Sequence, residues 1–92
     1  MARLSEQEIS RVRTQASIVD VISHYIPLNK SGRNYRAICP FHDDHDPSMN
    51  ISEDKQIFKC FVCGAGGNVF SFVQKYEKIS FIEAVYKVAE YD

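Results

Sequence analysis

Four side chains that commonly bind transition metals occur as two closely spaced pairs. Cys39 and His42 form the first pair and Cys60 and Cys63 the second, with two residues between the ligands of each pair. This spacing is typical of the two knuckles of a tetrahedral zinc site, because each short turn directs both of its side chains at one ion. Four nitrogen and sulfur ligands fill the shell and leave no position for a reacting water. The pattern therefore predicts one structural zinc ion.

The alternative interpretation of the cysteines is that they are core residues, since a free cysteine packs as a small hydrophobe. The matched spacing favours the metal site, and an odd number of cysteines, 3 in this chain, fits a disulfide framework poorly. His45 is the other candidate for the histidine ligand, but its separation from Cys39 is too long for a tight knuckle, so His42 ranks ahead of it. Thiols kept for a metal predict a reducing, cytoplasmic location.

Length and charge limit what this sequence can form. Its 92 residues suffice for one small domain, whose modest core is expected to need the metal for stability. The 11 basic and 12 acidic residues give a net charge of −1, which argues against a strongly basic nucleic-acid-binding protein but permits a local basic patch. No apolar run is long enough to span a membrane and no signal peptide opens the sequence, so no membrane association is expected.

The N-terminal part of the chain is predicted to be helical. Ser5 and Glu8 form a capping box. Residues 17–25 carry apolar side chains at helical spacing. Pro27 ends this pattern, and residues 25–30 are predicted to form an edge strand, where proline is tolerated.

The metal ligands are predicted to lie in a zinc ribbon. A turn at Ser31 and Gly32 follows the edge strand, and Met49 and Ile51 alternate with polar residues as in a half-buried strand. The remaining parts of the ribbon are expected to be strands at residues 33–38, 48–52 and 57–60, an acidic loop at residues 43–46 and a hairpin turn at residues 53–56.

Two helices are predicted after the ribbon. Residues 64–67 are expected to form a flexible exit from the metal site, because the lysine and serine of a phosphate-binding loop are missing. Asn68 can cap the first helix, and Ser80 and Glu83 form a capping box for the second. The apolar faces of these helices are predicted to be formed by Val69, Phe72, Val73, Tyr76, Phe81, Val85 and Val88.

These elements predict an α+β fold in which a small antiparallel sheet, the zinc ribbon, is flanked by N-terminal and C-terminal helices. A single zinc-binding domain is expected over residues 1–92, with a helical lead at residues 5–25, the zinc ribbon at residues 26–66 and C-terminal helices at residues 68–91. Because the helical pattern continues to the last residues, we expect the chain to be the N-terminal part of a longer protein.

The motifs around the metal ligands extend beyond the ligands themselves. The sequence carries Cys39-Pro40-Phe41-His42 and Cys60-Phe61-Val62-Cys63-Gly64, accompanied by Asp44, Pro47, Ser48, Phe58, Gly67 and Asn68. Together with the helical segments at residues 17–22 and 80–85, this pattern resembles the N-terminal zinc-binding domain of bacterial DnaG-type DNA primases. One departure is His45, which is mostly neutral at pH 7 and stands where the family usually has a lysine that could contact template phosphate. The neighbouring Asp46 adds negative charge to the same loop.

The resemblance implies a function in starting DNA synthesis. Such domains help to bind a single-stranded DNA template and to select the start site of a short RNA primer. The RNA polymerase domain that joins ribonucleotides, with its Mg²⁺ ions, belongs to the rest of the primase and can act in cis or in trans, so the isolated domain is expected to be inactive. The resemblance also implies contact with the replicative helicase through regions outside this sequence.

A template-binding surface is predicted on the sheet. Single-strand binders combine a positive track for phosphates with aromatic rings on which bases stack. Arg33 and Tyr35 have the same parity on one predicted strand and so share a face, whereas Arg36 has the opposite parity. The alternative is that these are ordinary solvated side chains and that Tyr35 covers the small core. The predicted contact residues are Lys30, Arg33, Tyr35 and Lys55, with Lys59 and Arg36 as weaker candidates.

Three other functions were weighed against this one. A zinc deaminase would need a three-ligand zinc and a glutamate two residues after the histidine, whereas Asp44 occupies that position and a fourth ligand fills the shell. A zinc ribbon that binds only protein, as a scaffold, agrees with the slight net acidity. A primase-like protein of a plasmid or phage would carry the same motifs.

Overall fold

The computed structural model describes residues 5–43 and 47–90. In the described residues, the helices are α1 (Glu6–Gln15), α2 (Ile18–Ser23), α3 (Val69–Glu77) and α4 (Phe81–Glu90). The strands are β1 (Asn29–Ser31), β2 (Asn34–Ala37), β3 (Met49–Ser52), β4 (Ile57–Cys60) and β5 (Gly66–Gly67). The predicted α+β fold, with helices on both sides of a zinc ribbon in sequence, is confirmed.

The strands form one antiparallel sheet in the order β1-β2-β3-β4-β5. Successive residues of a strand point to opposite faces, so each strand contributes to both faces of the sheet. We call the face that carries Met49, Ile51 and Phe58 the inner face, because these side chains are at most 2% exposed. The opposite, outer face carries Asn50 and Lys59, which are paired across β3 and β4.

The core lies between the inner face and the helices. α2 and α3 pack against each other and against the sheet, and α4 packs against α3 and α1. The ring of Phe72 from α3 lies 5.3 Å from the ring of Phe58 on β4 and 5.4 Å from the ring of Phe41, which precedes the ligand His42. The first knuckle is therefore packed directly on the core.

Side-chain caps begin the helices at the predicted residues. The backbone N–H of Glu8 donates to the Ser5 hydroxyl, and the backbone N–H of Ser71 donates to Oδ1 of Asn68. Ser80 and Glu83 form the predicted capping box at the start of α4. Such caps satisfy backbone donors that have no partner within the helix, which explains why they could be located from sequence.

The predicted edge strand at residues 25–30 is wrong in its first half. The backbone N–H groups of Tyr25 and Ile26 both donate to the carbonyl of Ile22, so the chain continues in helical turns beyond α2. Only Asn29–Ser31 forms β1. The next strand also begins later than predicted, because Arg33 lies in the turn with Gly32, whose φ is 63°.

The predicted flexible exit at residues 64–67 is wrong for its last two residues. Gly66 and Gly67 pair with Lys59 and Phe58 and form the fifth strand. A Cβ on Gly66 would lie 3.0 Å from the carbonyl oxygen of Phe58, so glycine permits this close approach. Gly67 has a φ of 142°, which an L-residue rarely adopts.

The apolar faces of α3 and α4 differ in two places from the prediction. Tyr76 and Phe81 are 39% and 40% exposed, although the predicted stripes place both in the core. Phe70, which the stripe omits, is buried and meets the ring of Phe81 at 5.6 Å. In residues 5–43 and 47–90, no helix has the length and apolar character needed to cross a membrane.

Candidate metal centre and binding surface

The sheet register brings the two ligand pairs together. Ala37 at the end of β2 is opposite Met49, and Met49 is opposite Cys60 at the end of β4. Cys39 and His42 lie just beyond Ala37, while Cys63 lies in the turn after Cys60. Both knuckles therefore meet at one end of the sheet.

The second knuckle is closed by backbone hydrogen bonds. The N–H of Gly64 donates to the carbonyl of Cys60 at 3.1 Å, and the N–H of Cys60 donates to the carbonyl of Ala65 at 2.8 Å. Gly64 has a φ of 78°, in the left-handed region that favours glycine. This turn holds Cys60 and Cys63 on one side of the chain.

The four predicted ligand atoms converge within 4.8 Å of one another. The Sγ atoms of Cys39 and Cys63 are 3.8 Å apart, and Nε2 of His42 is 3.2 Å from Sγ of Cys60. A tetrahedral zinc ion with bonds of about 2.3 Å to sulfur separates its sulfur ligands by about 3.8 Å. The donor set, three sulfurs and one nitrogen, and its spacing thus fit zinc.

The ring of His42 is oriented by the adjacent backbone. Its Nδ1 lies 3.2 Å from the carbonyl oxygen of Asp43, and a proton on Nδ1 donates to that oxygen. In this tautomer Nε2 keeps its lone pair and faces the thiols, as a metal ligand requires. Asp44, His45 and Asp46 lie outside the described residues, so the structure does not place the other candidate histidine.

The environment shifts the pKa values of two thiols in opposite directions. Burial raises the pKa of the Cys39 thiol to about 12, and the nearby thiols of Cys60 and Cys63 raise it further. Burial also raises the pKa of Cys60, but hydrogen bonds from the backbone N–H of Cys63 and from the Ser48 hydroxyl outweigh it and lower this pKa to about 6. The cluster thus supplies an anionic sulfur beside one that holds its proton until a cation displaces it.

A groove crosses the outer face next to the metal centre. Among the described residues, its lining contains three cationic side chains, Arg33, Lys55 and Lys59, and one carboxylate, Asp54. Phe61, from the second knuckle, contributes a ring that is 68% exposed. We call this surface the outer-face groove.

The structure divides the predicted contact residues between two places. Arg33, Lys55 and Lys59 line the outer-face groove, and Arg36 is exposed on the same face, opposite Asn50. Lys30 and Tyr35 instead lie at the edge of the inner face, where the Lys30 ammonium is 5.7 Å from the Tyr35 ring centre.

The depression that Lys30 and Tyr35 form also contains Arg33 and two carboxylates, Glu53 and Asp54. The predicted parity between Arg33 and Tyr35 does not apply, because Arg33 belongs to the turn. Arg33 nevertheless joins the two places, since it lines both.

Sequence reasoning missed the exposed ring of Phe61. The alternation along β4 contained the signal, because Phe58 and Cys60 point inward and Lys59 therefore points outward with the residue two places on. It also missed the polar floor of the groove, where Asn34 and Asn50 lie.

The sequence matches a family model described as the CHC2 zinc finger over residues 4–92. The chain belongs to the CHC2 zinc finger family. This assignment agrees with the four-ligand centre and excludes the deaminase interpretation, which required a three-ligand zinc.

Proteins similar to this CHC2 zinc finger are bacterial DNA primases. The DNA primase of Listeria monocytogenes is 53% identical over 90 residues, covering 98% of this chain and 14% of the relative. The DNA primase of Enterococcus faecalis is 51% identical over 88 residues, covering 96% of this chain and 14% of the relative. The chain thus spans about 14% of the length of these curated relatives.

A solved structure has the same fold. The crystal structure of the Aquifex aeolicus primase, comprising zinc-binding and RNA polymerase domains, matches with a TM-score of 0.87 and 50% identity. The match covers 95% of this chain and 21% of that one. The resemblance to primase zinc-binding domains is confirmed.

Proposed function

We propose that this CHC2 zinc finger is the template-recognition domain of a DNA primase. In this proposal it binds single-stranded DNA, supports start-site selection and so assists RNA primer synthesis in the cytoplasm. The primase relatives and the cationic outer-face groove support the proposal. The single zinc-binding domain then forms the N-terminal part of a longer primase.

The proposed metal centre consists of Cys39, His42, Cys60 and Cys63 around one zinc ion. When bound, the ion supplies a cross-link between the two knuckles and neutralises the thiolates, without a reacting water. The convergence of the four donor atoms within 4.8 Å supports this ligand set. The chain's own contribution is to fix the ends of β2 and β4, and with them the outer-face groove.

The observation that carries the DNA-binding proposal is the combination of cations and an exposed ring in one groove. Arg33, Lys55 and Lys59 can neutralise successive phosphates, and a base can stack on Phe61. Asp54 opposes them in part. With so few cations, we expect weak binding that decreases as the salt concentration rises.

Titration of a labelled single-stranded oligonucleotide at low salt tests this proposal. The double variant Arg33→Ala with Lys55→Ala should weaken binding and reduce the salt slope by about 2, since each lost phosphate contact reduces it by about 1. Zinc content should stay unchanged, because neither residue contacts the ligands.

A matched control removes two cations elsewhere. Lys75 and Lys87 lie on α3 and α4, away from the outer-face groove. Lys75→Ala with Lys87→Ala should leave binding nearly unchanged. Equal weakening by both pairs would indicate a nonspecific effect of net charge, and undiminished binding in all variants would place the contact surface elsewhere.

The catalytic partner is proposed to be an RNA polymerase domain, in cis or in trans, whose activity needs Mg²⁺. The replicative helicase is a further proposed partner, through regions beyond this chain. We expect no primer synthesis from the isolated chain, and partial recovery of initiation when it is added to a primase that lacks its zinc domain. Primer synthesis by the chain alone would contradict this assignment.

A protein-binding scaffold is the second candidate. Ile38, Phe61 and Val62 are 52%, 68% and 69% exposed near the metal centre, and exposed apolar side chains of this size occur at protein interfaces. The two candidates differ in the same titration: a scaffold should show no saturable affinity for single-stranded DNA even at low salt.

A further inference from the structure

Two asparagine side chains lie among the cations of the outer-face groove. Asn50 is half-buried on the central strand β3, opposite Arg36 of β2 and Lys59 of β4. Asn34 lies on the same face of β2, two residues before Arg36, and also lines the groove. A strand of DNA whose phosphates contact the cations would pass directly over both carboxamides.

Both carboxamides have hydrogen-bonding groups available to a ligand. Within residues 5–43 and 47–90, neither side chain hydrogen-bonds to another part of the chain. Each therefore keeps an acceptor oxygen and two donor hydrogens. By contrast, two polar side chains of the neighbouring hairpin are used within the fold: Ser52 Oγ accepts from the N–H of Lys55 at 3.2 Å, and Gln56 Oε1 accepts from the N–H of Ile18 at 2.8 Å.

The exposed ring is placed to bring a base to these groups. Phe61 follows Lys59 by two residues, and residues of that spacing on one face lie about 7 Å apart along a strand. A base stacked on Phe61 can therefore extend its edge over the row that contains Lys59 and Asn50. Because the bases of a single strand are unpaired, their edges are open to such contacts.

We propose that Asn50, assisted by Asn34, reads a base edge of the bound template and so contributes to sequence selection. The inference rests on the proposed function, because it assumes single-stranded DNA in the outer-face groove. A carboxamide offers a donor and an acceptor side by side, which match the N7 acceptor and N6 donor of adenine. The preferred ligand is therefore single-stranded DNA with an adenine over Asn50.

The cations and the asparagines should affect binding differently. Lys59 contacts phosphate, which is the same in every sequence, so Lys59→Ala should weaken binding to all sequences by a similar factor. Asn50 contacts a base, so its loss should weaken binding to the matching sequence and leave the others nearly unchanged. This difference separates base reading from general attraction.

The test measures the affinity of the zinc-loaded chain for homopolymers of deoxyadenosine, deoxycytidine and thymidine of equal length. The unaltered chain should bind the deoxyadenosine homopolymer tightest, by about fivefold to a hundredfold, the range of a bidentate contact. Asn50→Ala and Asn50→Thr should both remove this preference, and threonine suits a strand, so loss of the fold does not obscure the result. Asn29→Ala removes a carboxamide from the edge strand β1 outside the groove and should preserve the preference.

Each outcome decides a different question. Equal affinity of the unaltered chain for all three homopolymers would overturn the inference while leaving the proposed DNA binding intact. A similar loss on all three homopolymers in Asn50→Ala would also overturn it, since that is the behaviour of a phosphate contact. Failure of the unaltered chain to bind any of them would overturn the proposed function itself, and this inference with it.

Discussion

The two faces of the same small sheet have opposite characters. On the inner face, Ile51 and Phe58 are at most 2% exposed and pack under the helices. On the outer face, their strand neighbours Asn50 and Lys59 line an accessible groove. Adjacent residues of one strand thus serve stability and binding separately. The comparison teaches that substitutions one residue apart should change different properties of this domain.

Removal of the metal should abolish the difference between the faces, because both depend on the knuckles. Cys63→Ser, or a strong chelator, should release zinc and unfold much of the sheet, since binding energy in such centres is folding energy of about 10 kcal/mol or more. Circular dichroism with a parallel zinc assay measures this effect. An unchanged strand signal after complete loss of zinc would show that the sheet is stable without the ion.

Substitutions at neighbouring positions on β4 should separate the faces by stability. Phe58→Ala removes a buried ring that contacts Phe41 and Phe72, and we expect a loss of about 3–5 kcal/mol in the free energy of unfolding. Ile57→Ala, on the outer face and 42% exposed, should cost only about 0.5 kcal/mol. Denaturant unfolding of the zinc-loaded variants measures both values, and similar losses would contradict the assignment of the faces.

Acid should weaken the proposed metal centre. Because the pKa of Cys39 is raised to about 12, its thiol holds a proton at neutral pH, and zinc must displace that proton. Zinc affinity should therefore increase with pH, by about 1.4 kcal/mol per pH unit for each proton released. Below the Cys60 pKa of about 6 a second proton competes, and the dependence should steepen. Competition with a chromophoric chelator across the pH range measures it, and a flat profile would contradict zinc binding through Cys39.

Two aromatic rings provide the finest comparison of the faces. Tyr35 packs against the core, so Tyr35→Ala should lower stability by about 1 kcal/mol and leave affinity for DNA nearly unchanged. Phe61→Ala should do the reverse, with about 1–3 kcal/mol lost from binding if a base stacks on it. If Tyr35→Ala gives the larger loss of binding, the template contacts the edge near Lys30 instead of the outer-face groove.

Much of the fold could be predicted because its signals are local. The caps at Ser5, Asn68 and Ser80 act over three residues of sequence, and the strand Ile57–Cys60 was predicted with its observed bounds. The errors arose where distant segments decide the structure. Gly66 and Gly67 form a strand only because β4 offers them an unpaired edge.

The proposed binding surface shows the same division more sharply. Alternation along β2 and β4 assigns Tyr35 and Lys59 to opposite faces, but it does not say which face the helices cover. Sequence reasoning placed Tyr35 on the open face, whereas the structure packs it against the core and leaves the groove beside Lys59 accessible. That choice depends on where α2 and α3 pack, a property of contacts between segments far apart in sequence.

By itself, the sequence determined the chemistry of the candidate metal centre and the local starts of the helices. The spacing of Cys39, His42, Cys60 and Cys63 suffices for a two-knuckle site, because each pair turns within a few residues. Only the tertiary structure decided which face of the sheet is open and that Phe61, Asn34 and Asn50 meet the cations there. The physical reason is that burial of one face is set by non-local packing, which no pattern within a single strand records.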